Sequence, residues 1–516
     1  MEAVLMPQAA AAAVAGPARP RRAGEAAIGG RKAGVVRFGF VRRWYGGAVR
    51  ARFGPARARL AVEGSRVAGE EVEEEEEGEG AARMFVGLPS DVVSDGHGVN
   101  RAKAVSAGLR ALKLLGVDGV ELPVSWAVVQ PGSGDLFEWA GYIAVAEMVR
   151  DAGLGLRVSL DTHGSALPGW IAAAAAADPD ILFTDRSGNR RQGCLSFAVD
   201  ELPVLSGKSP IEAYEAFFRS FAAAFHDFLG STITDVTVSL GPNGELRYPS
   251  YPLGSDGYTG AGEFQCYDKH MLARLKQHAE AAGQPLWGLS GPHDAPRYGE
   301  SPVSSGFFKV PGGSWETAYG SFFLSWYAGE LLAHGDRVLT TASRVFAGEP
   351  VELSAKVPLL HSRPAEATAG LHGGYCPVAE MFARHGCTVI ASGMHARSGA
   401  EDLLAQIKAV CTEHGARLAG ESATLVVARD GDGSPGAWGG LLTAERTRPC
   451  HFTYQRMGAE FFSPDHWPLF VLLVRALECP EEAHEDDLPA AGDGARLTVP
   501  SGRAAPRGTA KQAQAA

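Results

Sequence analysis

The sequence predicts an α/β chain folded as a closed (β/α)₈ barrel of the TIM type, with elaborated βα loops, a disordered N-terminal extension and a short C-terminal tail. Three observations predict it. Short β-like runs alternate regularly with amphipathic helical stretches between residues 84 and 480, and such alternation implies a parallel sheet. Eight runs imply a closed barrel whose site lies at the C-terminal strand ends. The 516 residues are 45% hydrophobic and include 65 glycines and 31 prolines, which suits one large globular body with many tight connections.

The runs, taken in order, are Met84–Leu88, Gly119–Val124, Leu156–Leu160, Asp235–Leu240, Val351–Val357, His385–Ala391, Ala416–Gly420 and His451–Arg456. Between the first two, Val105, Leu109 and Leu112 recur at helical spacing and Gly116 supplies a stop. Between the second and third, Tyr142, Val145, Val149 and Ala152 repeat the pattern, closed by Gly153. Four segments follow: residues 1–69, 70–83, 84–480 and 481–516. The first is arginine-rich and acid-poor, the composition of an organellar transit peptide; it contains Arg19, Arg21, Arg22, Arg42 and Arg43 but few acids. The second carries the glutamate run of residues 70–79, which repels itself and reads as an extended acidic linker. The last is acidic, then rich in alanine, proline and glycine, and reads as a disordered tail.

Composition also excludes. A net charge of −11 argues against nucleic acid as the main partner, because phosphate contacts need a basic face. No apolar run approaches the ~18 residues of a membrane span; the best, residues 469–474, is too short. The seven cysteines show no CxxC pair, so neither a zinc cage nor a disulfide framework is expected, and buried thiols are.

The strongest local signal is Gly241-Pro242-Asn243-Gly244-Glu245-Leu246-Arg247-Tyr248-Pro249-Ser250-Tyr251-Pro252, directly after the fourth strand. Glu245 then sits on the barrel rim, and Tyr248 and Tyr251 offer flat faces for sugar rings. The competing reading is a loop carboxylate paired with Arg247.

This stretch resembles the β-amylase signature that contains that family's general acid. Further matching segments spread the resemblance over residues 84–479. They are Gly116–Val120, Asp178-Pro179-Asp180-Ile181, Glu263–Lys269, and Phe322–Tyr327 leading to His334-Gly335-Asp336-Arg337. The resemblance implies an inverting hydrolase that releases maltose from non-reducing ends of α-1,4-glucan, without metal or cofactor. Inversion needs one carboxyl protonated and one ionised, ~6.5–9.5 Å apart. Glu245 matches the acid. Gly420-Glu421-Ser422-Ala423 matches the Gly-Glu-Asn-Ala motif of the base, so Glu421 is the candidate base. His163, Lys356, His361 and Arg456 match sugar-contacting positions, although the first three are also residue types that a core can satisfy.

Other parts depart from the family. Between His163 and Trp170 stand only Gly164-Ser165-Ala166-Leu167-Pro168-Gly169, so the long lid and its Asp are missing. Pro123 replaces an Asp that binds sugar hydroxyls, and a Trp-Trp-Tyr segment after His361 is deleted. Val389-Ile390-Ala391 stands for the family's Phe-Thr-Cys loop, with Ile390 in place of the Thr hydroxyl. Losing one buried hydrogen-bond partner costs ~1–3 kcal/mol, so several losses could remove ~10²–10⁵ of rate. A missing lid also admits water.

Three functions follow from the resemblance. The first is a weakly active or non-catalytic β-amylase-like protein, regulatory in starch breakdown, that binds α-1,4-glucan, maltooligosaccharide or another starch enzyme. The second is an active inverting β-amylase. The third is a protein-interaction scaffold. The departures place the first ahead. Plastid (chloroplast) location, through a cleaved transit peptide, is expected from the N-terminal composition and the resemblance together.

Overall fold

The computed structural model describes residues 82–478 apart from 165, 252–260, 361, 395–399, 423–448 and 465. The expected transit segment, nearly all of the acidic linker, the C-terminal tail and His361 lie outside the described residues.

Eight parallel strands close into a barrel. They are β1 (Arg83–Gly87), β2 (Gly119–Ser125), β3 (Gly155–Asp161), β6 (Ile233–Val238), β7 (Glu352–Pro358), β8 (Thr388–Ser392), β9 (Leu418–Glu421) and β10 (His451–Tyr454). They neighbour one another in chain order, and β1 pairs with β10 to close the ring. Each falls on a predicted run, shifted by up to three residues at the ends. A small antiparallel hairpin, β4 (Leu182–Thr184) with β5 (Arg190–Leu195), interrupts the series between β3 and β6 and was not foreseen.

The helices are α1 (Ala102–Leu115), α2 (Trp126–Val129), α3 (Ala140–Asp151), α4 (Gly169–Ala177), α5 (Pro210–Ala224), α6 (Lys269–Ala281), α7 (Ala318–Val345), α8 (Arg363–Ala369), α9 (Cys376–Arg384), α10 (Ala400–His414) and α11 (Trp467–Glu478). In α1, Val105, Leu109 and Leu112 form the buried stripe, and Gly116 ends it at φ 97°, where a side chain would be strained. A Ser209/Glu212 capping box starts α5. No described helix is long and apolar enough to cross a membrane.

Strand periodicity of two sorts the side chains. Val120, Leu122 and Val124 of β2, and Leu156, Val158 and Leu160 of β3, are fully buried on the helix-facing side. The alternate residues turn into the barrel, and Glu121, Ser125, Arg157, Ser159 and Asp161 among them are polar. Arg157 from β3 reaches Thr453 on β10 at 2.5 Å and Asp235 on β6 at 3.3 Å, and Ser354 on β7 donates to Asp235 at 2.7 Å. A barrel interior is more often filled by apolar branched residues. This one is held by a buried ion pair and hydroxyls, with the polar character continuing toward the C-terminal rim.

The segments that carried the family resemblance are mostly framework. Asp178 takes Lys269 Nζ at 2.8 Å, and Asp180 takes Arg190 at 2.8 Å. Asp268 caps α6 by accepting from His270 N and Met271 N. Asp200 is clamped by His334 Nδ1 at 2.8 Å and by Arg337 Nη2 at 2.6 Å, tying α7 to the segment before α5.

Candidate active site

The Gly241–Arg247 loop turns tightly at the end of β6. A Cβ on Gly241 would lie 2.6 Å from the Glu245 carbonyl and 2.7 Å from that of Arg247, so only glycine fits. Asn243 and Gly244 take left-handed conformations, at φ 59° and 79°. Leu246 N donates to the Lys356 carbonyl at 2.8 Å, extending the β6–β7 pairing past the strand end. Glu245 is thus fixed by backbone at the barrel mouth, its side chain 14% exposed. Arg247 Nε donates to Oε2 at 2.5 Å, and the Ser392 hydroxyl donates to Oε1. The rim position and the Arg247 pair, set against each other in the sequence, are both present.

Glu421 ends β9, its side chain 11% exposed. Its Oε2 lies 2.5 Å from Lys356 Nζ, which also stands 3.1 Å from Oε1 of Glu121. Gln455 Nε2 donates to Glu121 Oε2 at 2.5 Å. Burial pushes the Glu421 carboxyl above its ordinary value, against the pull of Lys356. Burial would also raise Glu121, but Lys356, Arg157 and Arg456 outweigh it and hold it at about 2. Lys356 is desolvated too, yet its two carboxylates outweigh that and move it up. Ser392 and Lys356 link the two candidate carboxylates. Ser392 is the β8 register partner of Glu421 while its hydroxyl meets Glu245, and Lys356 bridges to Glu245 by backbone and to Glu421 by charge.

The remaining sequence-derived residues fall differently. Arg456, partly exposed just beyond β10, donates Nη1 to the Leu88 carbonyl at 3.1 Å, and its charge lowers Glu121, Glu421 and Asp161. His163 is 2% exposed and enclosed by protein. Its Nδ1 meets Thr162 and Ser239 hydroxyls at 3.0 and 3.4 Å, its Nε2 meets the Tyr214 hydroxyl at 3.4 Å, and burial pushes it down to about 3. The partly exposed group at that strand end is Asp161, whose carboxylate accepts from His163 N at 3.0 Å and from Ser239 at 3.3 Å. Burial raises its carboxyl.

Two expectations are corrected. Tyr248 does not face the barrel mouth. It is fully buried, stacked on Tyr327 with centroids 3.8 Å apart, and donates to the Tyr327 carbonyl at 3.0 Å. Nor does Ile390 occupy the position beside the carboxylates. It lies inside β8, paired with Lys356 and Ala419, whereas a hydroxyl, that of Ser392, sits two residues on against Glu245. Between β3 and α4 the connection is residues 162–168, as short as expected.

Glu121, Asp161, Ser392 and Gln455 were missed by sequence reasoning. Glu121 left a signal: a charged residue between Val120 and Leu122 must face the side opposite to theirs. Among the described residues, no three His, Cys, Asp or Glu side chains converge as metal ligands would. The mouth gathers the carboxylates of Glu245 and Glu421, the Lys356 ammonium and the Ser392 hydroxyl.

Comparison with known proteins adds to this geometry. The family model for glycosyl hydrolase family 14 matches residues 85–465. A protein of Arabidopsis thaliana named inactive beta-amylase 9 is 47% identical over 455 residues, spanning 83% of each chain. Beta-amylase 2, chloroplastic, of Oryza sativa subsp. japonica is 40% identical over 431 residues, 76% of each chain. The crystal structure of the catalytic domain of beta-amylase from Paenibacillus polymyxa superposes with a TM-score of 0.60 at 23% identity. It covers 76% of this chain and 97% of that domain, a likeness of fold.

Proposed function

The chain belongs to glycosyl hydrolase family 14, the β-amylase family, and from that premise we propose a β-amylase-like protein that binds α-1,4-glucan at its barrel mouth while hydrolysing it weakly or not at all. Its role is then regulatory, in starch breakdown. One observation carries the reading: Glu421, the candidate base, is buried and bound through Oε2 to Lys356 at 2.5 Å. A general base must be ionised and open to the attacking water. Burial works against the first requirement, and the Lys356 contact takes one of the two carboxylate oxygens from the second.

The candidate acid meets a parallel obstacle. Glu245 must present a proton to the leaving oxygen, yet Arg247 and Ser392 donate to both of its oxygens. The short β3–α4 connection adds no cover against bulk water. The name of the Arabidopsis relative agrees with this reading, and several relatives named chloroplastic, with the Arg-rich N-terminus, support a plastid location.

The test is maltose release from soluble starch by the full chain beside Glu245→Gln and Glu421→Gln, with maltooligosaccharide binding measured by calorimetry. Binding with no release above the two variants supports the proposal. Release at ordinary rates, abolished by both substitutions, makes the chain an active inverting β-amylase instead. Absence of both binding and release leaves a protein-interaction scaffold. A fluorescent fusion of residues 1–83 tests the location, and a cytosolic signal would overturn it.

A further inference from the structure

The last residue of β3 is a carboxylate whose two oxygens are used unequally. The alternation that sends Leu160 to the helix-facing side turns Asp161 into the barrel, where it is partly exposed. Its Oδ1 accepts from His163 N at 3.0 Å and from the Ser239 hydroxyl at 3.3 Å. Its Oδ2 accepts from no group among the described residues. Gly164 leaves that second oxygen uncrowded, since a Cβ there would lie 3.3 Å from it.

The surroundings of Asp161 are those of the mouth. In register it pairs with Ser125 on β2, two residues beyond the pair of Pro123 with Ser159. Pro123 offers no side-chain acceptor, and the connection of residues 162–168 contains no carboxylate. On the other side, Ser239 also lies 3.3 Å from the carbonyl of Gly241, where the Glu245 loop begins. Burial raises the Asp161 carboxyl, while Lys356 and Arg456, at the same mouth, favour its charged form. The neighbouring carboxylates are more fully engaged. Glu245 has both oxygens taken by Arg247 and Ser392, and Glu121 has both taken by Lys356 and Gln455. Glu421 gives one to Lys356.

We propose that Asp161 is a ligand-gripping residue of the mouth, accepting through Oδ2 one hydroxyl of a bound glucosyl unit. The inference rests on the reading of the mouth as an α-1,4-glucan site, and it names the group that β3 contributes. A hydroxyl is a donor, and a carboxylate accepts from it more strongly than a neutral oxygen does. The backbone N–H of His163 and the Ser239 hydroxyl already fix Oδ1, so Oδ2 is presented with little rotamer freedom left to lose on binding.

The experiment compares the full chain with Asp161→Asn, which keeps the shape and an acceptor for His163 N. Calorimetry reads the binding of maltotriose and of its monodeoxy derivatives, each lacking one hydroxyl. The expected result is that the unsubstituted chain binds one derivative about tenfold more weakly than maltotriose through loss of the Asp161 contact. Asp161→Asn binds maltotriose about tenfold more weakly, and it no longer discriminates against that derivative. Unchanged maltotriose binding by Asp161→Asn overturns the proposal. So does an equal weakening of every ligand with the derivative pattern retained, because Asp161 would then shape the strand end without touching sugar. Absence of maltotriose binding by the unsubstituted chain overturns the glucan site itself and this inference with it, so the two failures are distinct. Should Asp161→Asn not fold, Gly164→Ala crowds Oδ2 without altering its charge, and the same loss of discrimination is expected.

Discussion

Lys356 Nζ lies 2.5 Å from Glu421 Oε2, and this contact joins the centre of the barrel to its chemistry. The ammonium arises from β7, the carboxylate from β9, and β8 runs between them. Lys356 therefore holds the mouth together and occupies the candidate base at once. Both consequences are open to measurement.

Replacing Lys356 by Met leaves two carboxylates, Glu121 and Glu421, with their shared ammonium removed. Breaking a buried pair from one side costs about 3–5 kcal/mol. The variant's carboxyls then take up protons more readily folded than unfolded, so its deficit is greatest near neutrality and shrinks as pH falls. Urea unfolding at pH 7 and pH 5 reads this directly. An equal deficit at both values would mean that the loss is one of packing.

The His163 ring is expected to stay neutral across the physiological range. Burial holds it at about 3, below the ordinary histidine value of about 6.5. Between those values the unfolded chain carries a proton on this residue and the folded chain does not. Stability from this group is thus complete above about pH 6.5 and falls with acidification toward pH 3, by at most about 1.4 kcal/mol per pH unit. His163→Asn should flatten that acid-side slope, and ring nitrogen shifts should show no protonation down to pH 5. A midpoint near pH 6.5 would mean that the ring is open to water, as a ligand contact would be.

Asp200 titrates with the opposite sense. Burial opposes its ionisation, but His334 and Arg337 outweigh burial and hold its carboxyl below the ordinary value. Its contribution is present above about pH 4, the ordinary aspartate range, and is lost as pH falls through the lower folded value. Asp200→Asn should cost about 3 kcal/mol at pH 7, where it leaves Arg337 without its partner, and much less at pH 3. Denaturant unfolding at pH 7, 5 and 3 follows the convergence. A gap that is constant with pH would assign the effect to shape alone.

The strands were legible because the alternation of apolar and polar residues is local. Val120, Leu122 and Val124, or Leu156, Val158 and Leu160, announce a pleat without knowledge of the partner strand. The strand ends were less legible, and the site is built from strand ends. A displacement of two residues separates His163 from Asp161, and Ile390 from Ser392. In each case a recognisable residue was assigned to the mouth while its neighbour holds that place. Tyr248 was misjudged because its stacking partner, Tyr327, lies far along the chain on α7. Glu121 was visible as a charge in an apolar run, but its meaning needed Lys356 and Gln455, which reach it across the barrel from other strands.

Gly241 offers the sharpest test of how the loop presents Glu245. An alanine Cβ would lie 2.6 Å from the Glu245 carbonyl and 2.7 Å from that of Arg247. Both are backbone atoms, so relief requires the loop to shift, and Glu245 shifts with it. Forcing one methyl into such a site costs about 1–3 kcal/mol. Gly132→Ala is the control: nothing lies within 4 Å of its added Cβ, and its effect should stay within about 0.5 kcal/mol. The comparison also reaches function. If maltooligosaccharide is gripped at this mouth, Gly241→Ala should weaken its binding by calorimetry at least about tenfold, or about 1.4 kcal/mol. Full binding despite lost stability would place the ligand away from Glu245, and the search for its contacts would move off the Gly241–Arg247 loop.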